Sequence, residues 1–155
     1  MSIHPTSQGL SDREAIAYCI YRAVQAFDLA DRVLLDSSFF DDAVFQVVGH
    51  TMVGRQAIHD QSFDFVSKLD TTHHPSGIRI EFSANSGEAA KVCCSFIAYH
   101  WRQGEGMKEG ASRFTVGGYY FVDVEKDAAD GLWKARRFEV KALWTEGDFE
   151  VMSRG

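Results

Sequence analysis

Three residues in the sequence carry side chains suited to moving protons, and each lies in or beside an apolar segment. Asp28 closes an amphipathic stretch with helical spacing, His73 follows a Thr-Thr pair in an extended segment, and His100 lies in an apolar alternating stretch. Apolar elements rarely carry ionisable groups without a partner, because burying a charge or an unpaired imidazole costs free energy. We interpret the three residues as a candidate general acid/base set for one apolar pocket.

Each residue also has an ordinary structural explanation. Asp28 is adjacent to the apolar stripe, so the sequence alone favours a solvated carboxylate at a helix end. Taken alone, His73 is more typical of a surface or strand-end position, and His100 of a satisfied core position. The catalytic interpretation therefore depends on whether the three side chains converge.

No metal or cofactor is predicted. His73 and His74 are neighbours on an extended segment, so their side chains point to opposite faces and do not converge on one ion. The sequence has no HExxH or CxxC signature. Gly117-Gly118 lacks both the GxGxxG spacing and a following helix, and therefore indicates a bend or bulge rather than a dinucleotide site.

Composition and charge narrow the class of function. The chain of 155 residues is 45% hydrophobic and 25% charged, as expected for one globular domain with a real core. Its net charge is −6 and its lysines and arginines are scattered, whereas nucleic-acid binding requires a basic stripe. No apolar run approaches a membrane span in length. These properties favour a small-molecule substrate, with neither nucleic acid nor a membrane as a partner.

The N-terminus and the cysteines bear on organisation and location. Residues 1–10 lack the apolar region of a signal peptide, and we expect them to be extended or disordered ahead of a single domain at 11–155. Of the three cysteines, Cys93 and Cys94 are adjacent, which makes a bridge between them geometrically poor. With Cys19 they are expected to be reduced thiols, which predicts a cytoplasmic protein.

The order of predicted elements separates helices from strands. A capping box, Ser11-Asp12-Arg13-Glu14, begins a helix that runs to about residue 29. Further helical segments are predicted at 32–37 and 54–69, and strands at 43–49, 78–82, 90–101, 112–125 and 132–144. This order predicts an α+β fold in which helices pack on one side of a curved sheet and leave a cavity against its concave face.

The element order, with Phe27-Asp28 ending the first helix, resembles the nuclear-transport-factor-2-like (NTF2-like) superfamily and its SnoaL-like branch. The C-terminal third resembles scytalone dehydratases. Gly131-Leu132-Trp133-Lys134 is followed, after nine intervening residues, by Trp144 and then by Asp148-Phe149. The resemblance covers about residues 12–150 and implies a cone in which a strongly curved, mixed, mostly antiparallel sheet encloses a pocket.

Carried over by position, the resemblance places the family's catalytic aspartate on Asp28 and its two catalytic histidines on His73 and His100. The positions that contact the substrate in the family predict further binding residues in this chain. The apolar row that ends in His100 adds the ring of Phe96. The predicted substrate-binding residues are Phe27, Phe96, Gly118, Tyr120 and Trp144.

The positions that recognise the substrate carbonyl differ from the family's pattern. Phe27 stands where the family has a tyrosine, the strand segment 44–48 lacks a second tyrosine, and Gly118 and Tyr120 replace a serine and an asparagine. Since the acid/base set is kept while the recognition set is changed, scytalone itself is not the expected substrate.

The predicted function is a cofactor-independent acid/base lyase, a dehydratase, acting on a small apolar oxygenated metabolite of polyketide or other secondary metabolism. One histidine, oriented by Asp28, would remove a proton α to a carbonyl, and the other would protonate the leaving hydroxyl or the enolate. Two alternatives stay open: an isomerase or cyclase of a polyketide or meroterpenoid-type intermediate that uses the same residues, and a non-catalytic small-molecule-binding module.

An apolar row on the strand face opposite His100 bears on assembly. Its members are Cys93, Ile97, Tyr99 and Trp101. An exposed row of this size is typical of an interface, so the sequence predicts a homo-oligomer, a dimer or a trimer.

Overall fold

The computed structural model describes residues 3–154, and four long strands make up their C-terminal half. The helices are α1 (Asp12–Asp28), α2 (Arg32–Asp36), α3 (Arg55–Ile58) and α4 (Asp64–Val66), with a π-helical turn at His59–Phe63 and a 3-10 helix at Phe149–Met152. The strands are β1 (Phe39–Val47), β2 (His50–Val53), β3 (Asp70–Phe82), β4 (Ala89–Trp101), β5 (Arg113–Lys126) and β6 (Trp133–Gly147).

Helix α1 begins at the predicted capping box. The Ser11 hydroxyl accepts a hydrogen bond from the Glu14 N–H at 3.2 Å, and the Glu14 carboxylate accepts one from the Ser11 N–H at 2.8 Å. The apolar face of the helix is buried at Ile16, Cys19, Ile20, Ala23, Val24 and Phe27. The helix therefore ends with Phe27 in the core and the partly buried Asp28 at its edge.

The six strands form one sheet in the order β2-β1-β6-β5-β4-β3. Strands β1 and β6 are parallel, and the other neighbouring pairs are antiparallel. Register shifts interrupt the β1–β6, β3–β4 and β5–β6 pairs, and such irregularities bend a sheet. The predicted α+β fold, with helices on a curved, mixed and mostly antiparallel sheet, is confirmed.

Gly117 and Gly118 mark an irregularity of the β5–β6 pair. The register with β6 shifts between the two glycines, and a Cβ atom on Gly118 would collide with the Lys141 carbonyl oxygen. Only glycine permits the two backbones to approach so closely. The predicted bend or bulge is therefore confirmed.

Strand β3 begins at residue 70, whereas the sequence predicts a strand only from 78. Pro75 and Gly77 interrupt the alternating pattern, and the pairing with β4 shifts register between Ser76 and Arg79. Because β3 is an edge strand, the missing N–H of Pro75 is tolerated on the side that has no neighbouring strand. The pairing with β4 continues before and after the irregularity. His73 therefore lies within a paired strand.

The other boundary corrections concern the segment from β1 to α4. Strand β1 starts at Phe39 rather than residue 43, and the short strand β2 was not predicted. The helix predicted over 54–69 is divided by the π-helical turn and ends at Val66, because tertiary packing decides such an insertion and a periodic pattern does not reveal it. Within residues 3–154, no helix has the length and apolar character needed to cross a membrane.

Candidate active site

A cavity of about 720 Å³ lies between α1, the segment from α3 to α4 and the concave face of the sheet. This volume falls in the range typical of small-molecule sites. Its walls are mainly apolar and rich in rings, namely Phe27, Phe39, Phe45, Phe65, Phe96, Phe114, Phe138 and Phe149. An apolar ligand that fills the cavity would therefore displace water from the polar groups that reach the interior.

Asp28, at the end of α1, holds His73 of strand β3, and the His73 ring lines this cavity. Asp28 Oδ1 accepts a hydrogen bond from the Thr71 hydroxyl at 2.7 Å and lies 2.6 Å from His73 Nδ1. Asp28 Oδ2 accepts the backbone N–H of His73 at 2.9 Å. A carboxylate beside Nδ1 favours the tautomer with hydrogen on that atom, which leaves the Nε2 lone pair of His73 available as a base.

His100 lies on the neighbouring strand β4, with its ring centre 5.6 Å from that of His73 and the two rings nearly perpendicular. Its Nδ1 donates to the Phe114 carbonyl oxygen at 3.1 Å, so Nε2 carries a lone pair. Burial, reinforced by the nearby His73, lowers the pKa of His100 to about 4. At neutral pH His100 is therefore an uncharged hydrogen-bond acceptor.

Tyr120 supplies a hydroxyl donor to the same cavity. Its ring stacks on Phe96 at 4.2 Å between centres and packs edge-on against Phe138 at 5.0 Å. Burial raises the pKa of the Tyr120 phenol well above its usual value, with smaller contributions from Cys94 and Asp28. Its hydroxyl has no hydrogen-bond partner among residues 3–154, and it stays protonated as a donor for a bound molecule.

The structure brings together the residues that the sequence interpretation singled out for proton transfer. Asp28 contacts His73 directly, and His73 and His100 both line the cavity. Of the predicted binding residues, Phe27, Phe96 and Tyr120 line it as well.

Gly118 and Trp144 do not line the cavity, and this part of the prediction is corrected. The Cα of Gly118 faces the backbone of β6, as the close approach to Lys141 shows. Trp144 is half-exposed and covers Gly117. The register shift between Gly117 and Gly118 changes which side chains of β5 and β6 share a face, and the alternating pattern alone does not reveal this.

Sequence reasoning missed the polar residues at the exposed side of the cavity. His50 Nε2 lies 2.8 Å from Gln61 Oε1, and the Arg154 guanidinium donates to the Gln61 carbonyl oxygen at 2.6 Å. These residues come from β2, the π-helical turn and the C-terminal segment, and no local motif connects them. We call His50, Gln61 and Arg154 the cavity mouth.

The cysteines and possible metal ligands add no further chemistry to the cavity. Burial raises the pKa of Cys19 to about 11 and that of Cys94 to about 12, so neither is a ready thiolate. All three cysteines are free thiols. In the described part of the chain, no three His, Cys, Asp or Glu side chains gather as metal ligands.

Comparison with known proteins places the chain in a family. The sequence model of the SnoaL-like domain matches residues 8–139. Terrestric acid biosynthesis cluster protein E of Penicillium crustosum is 42% identical over 145 residues, which cover 94% of this chain and 92% of that protein.

Two solved structures share the fold. A proposed scytalone dehydratase from Novosphingobium aromaticivorans is 24% identical, with a TM-score of 0.74 and coverage of 88% of this chain and 87% of the other. An NTF2-like superfamily protein from Salmonella enterica is 16% identical, with a TM-score of 0.69 and coverage of 83% and 89%. The chain therefore belongs to the SnoaL-like domain family and has the NTF2-like fold.

Proposed function

We propose that the protein is a cofactor-independent dehydratase of secondary metabolism that removes water from a small, largely apolar β-hydroxy carbonyl compound. The observation that carries the proposal is the Asp28–His73 pair, a carboxylate-oriented imidazole in a cavity walled by phenylalanine rings. The relative from the terrestric acid cluster supports a role in the biosynthesis of a secondary metabolite. The cytoplasm remains the expected location.

In the proposed first step, His73 Nε2 removes the proton α to the substrate carbonyl. The C–H electron pair becomes part of an enolate, and the new imidazolium is stabilised by Asp28 at 2.6 Å. The protonated Tyr120 hydroxyl donates to the enolate oxygen. A donor that is already positioned in an apolar site stabilises the developing negative charge far more than the same donor does in water.

In the second step the enolate re-forms the carbonyl and expels the β-hydroxyl group. The imidazolium of His73 returns its proton to that oxygen, the C–O bond breaks, and water leaves with the double bond formed between the α and β carbons. His100 is neutral and has an open lone pair at Nε2, so it is suited to accept a hydrogen bond from the leaving hydroxyl and hold it in place. Each positioned proton transfer contributes about 10²–10⁴ in rate.

Isomerisation or cyclisation is the second candidate, because the same enolate forms and only its fate differs. The observation that favours it is the protonation state of His100. With its pKa lowered to about 4, His100 supplies no proton of its own to a leaving group at neutral pH. A substrate without a β-hydroxyl group would then be reprotonated at carbon by His73.

The test uses a panel of β-hydroxy carbonyl compounds of polyketide type, followed by the absorbance of the conjugated product and by its mass. Loss of water supports the dehydratase, and turnover at unchanged mass supports the isomerase or cyclase. His73→Gln should lower turnover by about 10²-fold or more. His74→Gln is the matched control, because His74 is exposed and bonds only Thr72 at 3.0 Å. Full turnover in folded His73→Gln, or binding without turnover in the unaltered protein, would contradict an acid/base enzyme.

A further inference from the structure

The charge of the cavity lining differs from the charge of the chain. The sequence has 22 acidic and 16 basic residues, yet none of the described lining residues is Asp or Glu. Arg154 is the one described lining residue with a permanent charge. It lies among exposed lining residues, whereas the His100 end of the cavity is buried. An acidic protein thus presents a cation and no carboxylate at the entrance to an apolar cavity.

Arg154 is anchored by contacts with the segment from α3 to α4. One guanidinium N–H donates to the Gln61 carbonyl oxygen, and the group lies 5.4 Å from the centre of the Phe65 ring. No carboxylate among residues 3–154 forms an ion pair with it. Of the carboxylates that precede Arg154 in the sequence, Glu150 accepts from the Ser153 hydroxyl and Asp148 pairs with Arg102. The described residues leave the remaining N–H groups of Arg154 open to a ligand.

Gln61 adds hydrogen-bond donors to the cavity mouth. Gln61 Oε1 accepts from His50 Nε2 at 2.8 Å, which leaves the amide N–H groups of Gln61 without a partner among the described residues. An arginine fork beside free amide N–H groups offers several donors, and such an arrangement suits an anionic oxygen group.

Apolar groups border these donors. Phe149 and Val48 both line the cavity, and Val48 is 70% exposed. A bound molecule therefore meets apolar surface on its way past the charged group, which is the arrangement expected for an amphipathic ligand.

We propose that the cavity mouth binds the carboxylate or acidic enol of an amphipathic organic acid whose apolar body fills the cavity. That such an acid is also the substrate rests on the proposed function. Its binding at the cavity mouth does not depend on catalysis. Arg154 makes the charge-assisted contact, Gln61 contributes its amide N–H groups, and the acid is oriented with its far end toward His73.

The test compares two probes of the same shape, 2-naphthoate and 2-naphthamide, by isothermal titration calorimetry. The unaltered protein should bind the carboxylate about tenfold or more tightly than the amide. Arg154→Gln should remove this preference while leaving 2-naphthamide affinity unchanged. Arg32→Gln is the matched control. Arg32 is an exposed arginine on α2, it pairs with Asp64 at 3.8 Å, and it does not line the cavity.

Three results would overturn the proposal. They are equal affinity for the two probes in the unaltered protein, a preference that survives Arg154→Gln, and a similar loss of both probes in that variant. His73→Gln separates this proposal from the proposed function, because it should lower turnover by about 10²-fold or more and keep the carboxylate preference. If His73→Gln retains turnover while Arg154→Gln loses the preference, the acid-binding mouth stands and the catalytic assignment fails.

Discussion

Asp28 and His73 are joined by two hydrogen bonds that use different parts of the histidine. Asp28 Oδ2 accepts the backbone N–H of His73 at 2.9 Å, and Oδ1 lies 2.6 Å from its ring Nδ1. Backbone and ring are thus fixed to the same carboxylate. The end of α1 thereby sets both the position of strand β3 and the direction in which His73 Nε2 points.

Asp28→Asn should therefore impair catalysis more than folding. The amide still accepts one hydrogen bond, but it does not stabilise the His73 imidazolium and favours the wrong tautomer. We expect turnover to fall by at least about 10²-fold while the melting temperature falls by only a few degrees. Steady-state kinetics and thermal unfolding check the two parts. A folded Asp28→Asn protein with full turnover would remove the pair from the mechanism.

His100 should make the protein sensitive to mild acid. Its folded pKa, about 4, lies below the ordinary value of 6.5. The unfolded chain then binds more protons between these values, so the stabilisation is present above pH 6.5 and is lost as the pH falls toward 4. The contribution at stake is about 3 kcal/mol. Urea unfolding at pH 7 and pH 5 should register about 2 kcal/mol of it, and His100→Asn should show a smaller loss than the unaltered protein. Equal losses would contradict this assignment.

The turn between β1 and β2 holds Val48 in a conformation that its side chain disfavours. Val48 and Gly49 both have positive φ, 46° and 81°, as in the tight turns that prefer Asn-Gly. A β-branched residue there costs about 1–3 kcal/mol. Val48→Asn should therefore raise the melting temperature by about 2–4 °C.

The matched control for this turn is Val53→Asn. Val53 is 69% exposed, as Val48 is 70% exposed, but its backbone is an ordinary strand. Thermal unfolding followed by circular dichroism should show a gain only for Val48→Asn. Equal shifts in the two variants would mean that exposure, and not the backbone conformation, decides the effect.

The sequence predicted the elements that have long, uninterrupted periodicity. Helix α1 and strands β4 to β6 were located within a few residues, because each has a buried face that repeats along the element. The start of β3 was missed, since Pro75 and Gly77 interrupt the alternation that tertiary pairing restores. The π-helical turn was missed because no local pattern in the sequence specifies it.

The site was predictable where residue type carried the information. The aspartate and histidines stood out as ionisable groups in apolar segments, but the residues alone favoured ordinary structural roles, and the family resemblance was needed to favour a catalytic role. Gly118 and Trp144 were misplaced because a register shift changes which side chains share a face. The cavity mouth was missed altogether, because His50, Gln61 and Arg154 are far apart in the sequence and meet only in the folded chain.

The convex face of the sheet carries exposed apolar side chains that we propose form a contact between copies of the chain. Ile97, Tyr119 and Phe121 lie on the side opposite Tyr120, and Phe121 is 41% exposed. Phe121→Lys should place a charge in the contact, so sedimentation velocity at micromolar concentration should show a dimer or trimer becoming a monomer. Val33→Lys, on an exposed position of α2, should leave the assembly unchanged. A monomeric unaltered protein would contradict the proposal.

Tyr120→Phe separates the chemistry of the hydroxyl from the packing of the ring. The substitution keeps the ring that stacks on Phe96 at 4.2 Å and removes only an oxygen that has no hydrogen-bond partner among residues 3–154. Stability should therefore change little, because the hydroxyl faces the cavity and makes no hydrogen bond with residues 3–154. Turnover should fall by about 10²–10³-fold if this hydroxyl stabilises the enolate oxygen. Thermal unfolding and steady-state kinetics on the same preparation measure both effects. Unchanged turnover in the folded variant would assign carbonyl recognition to another group, whereas a large loss of stability would show that the hydroxyl serves the fold.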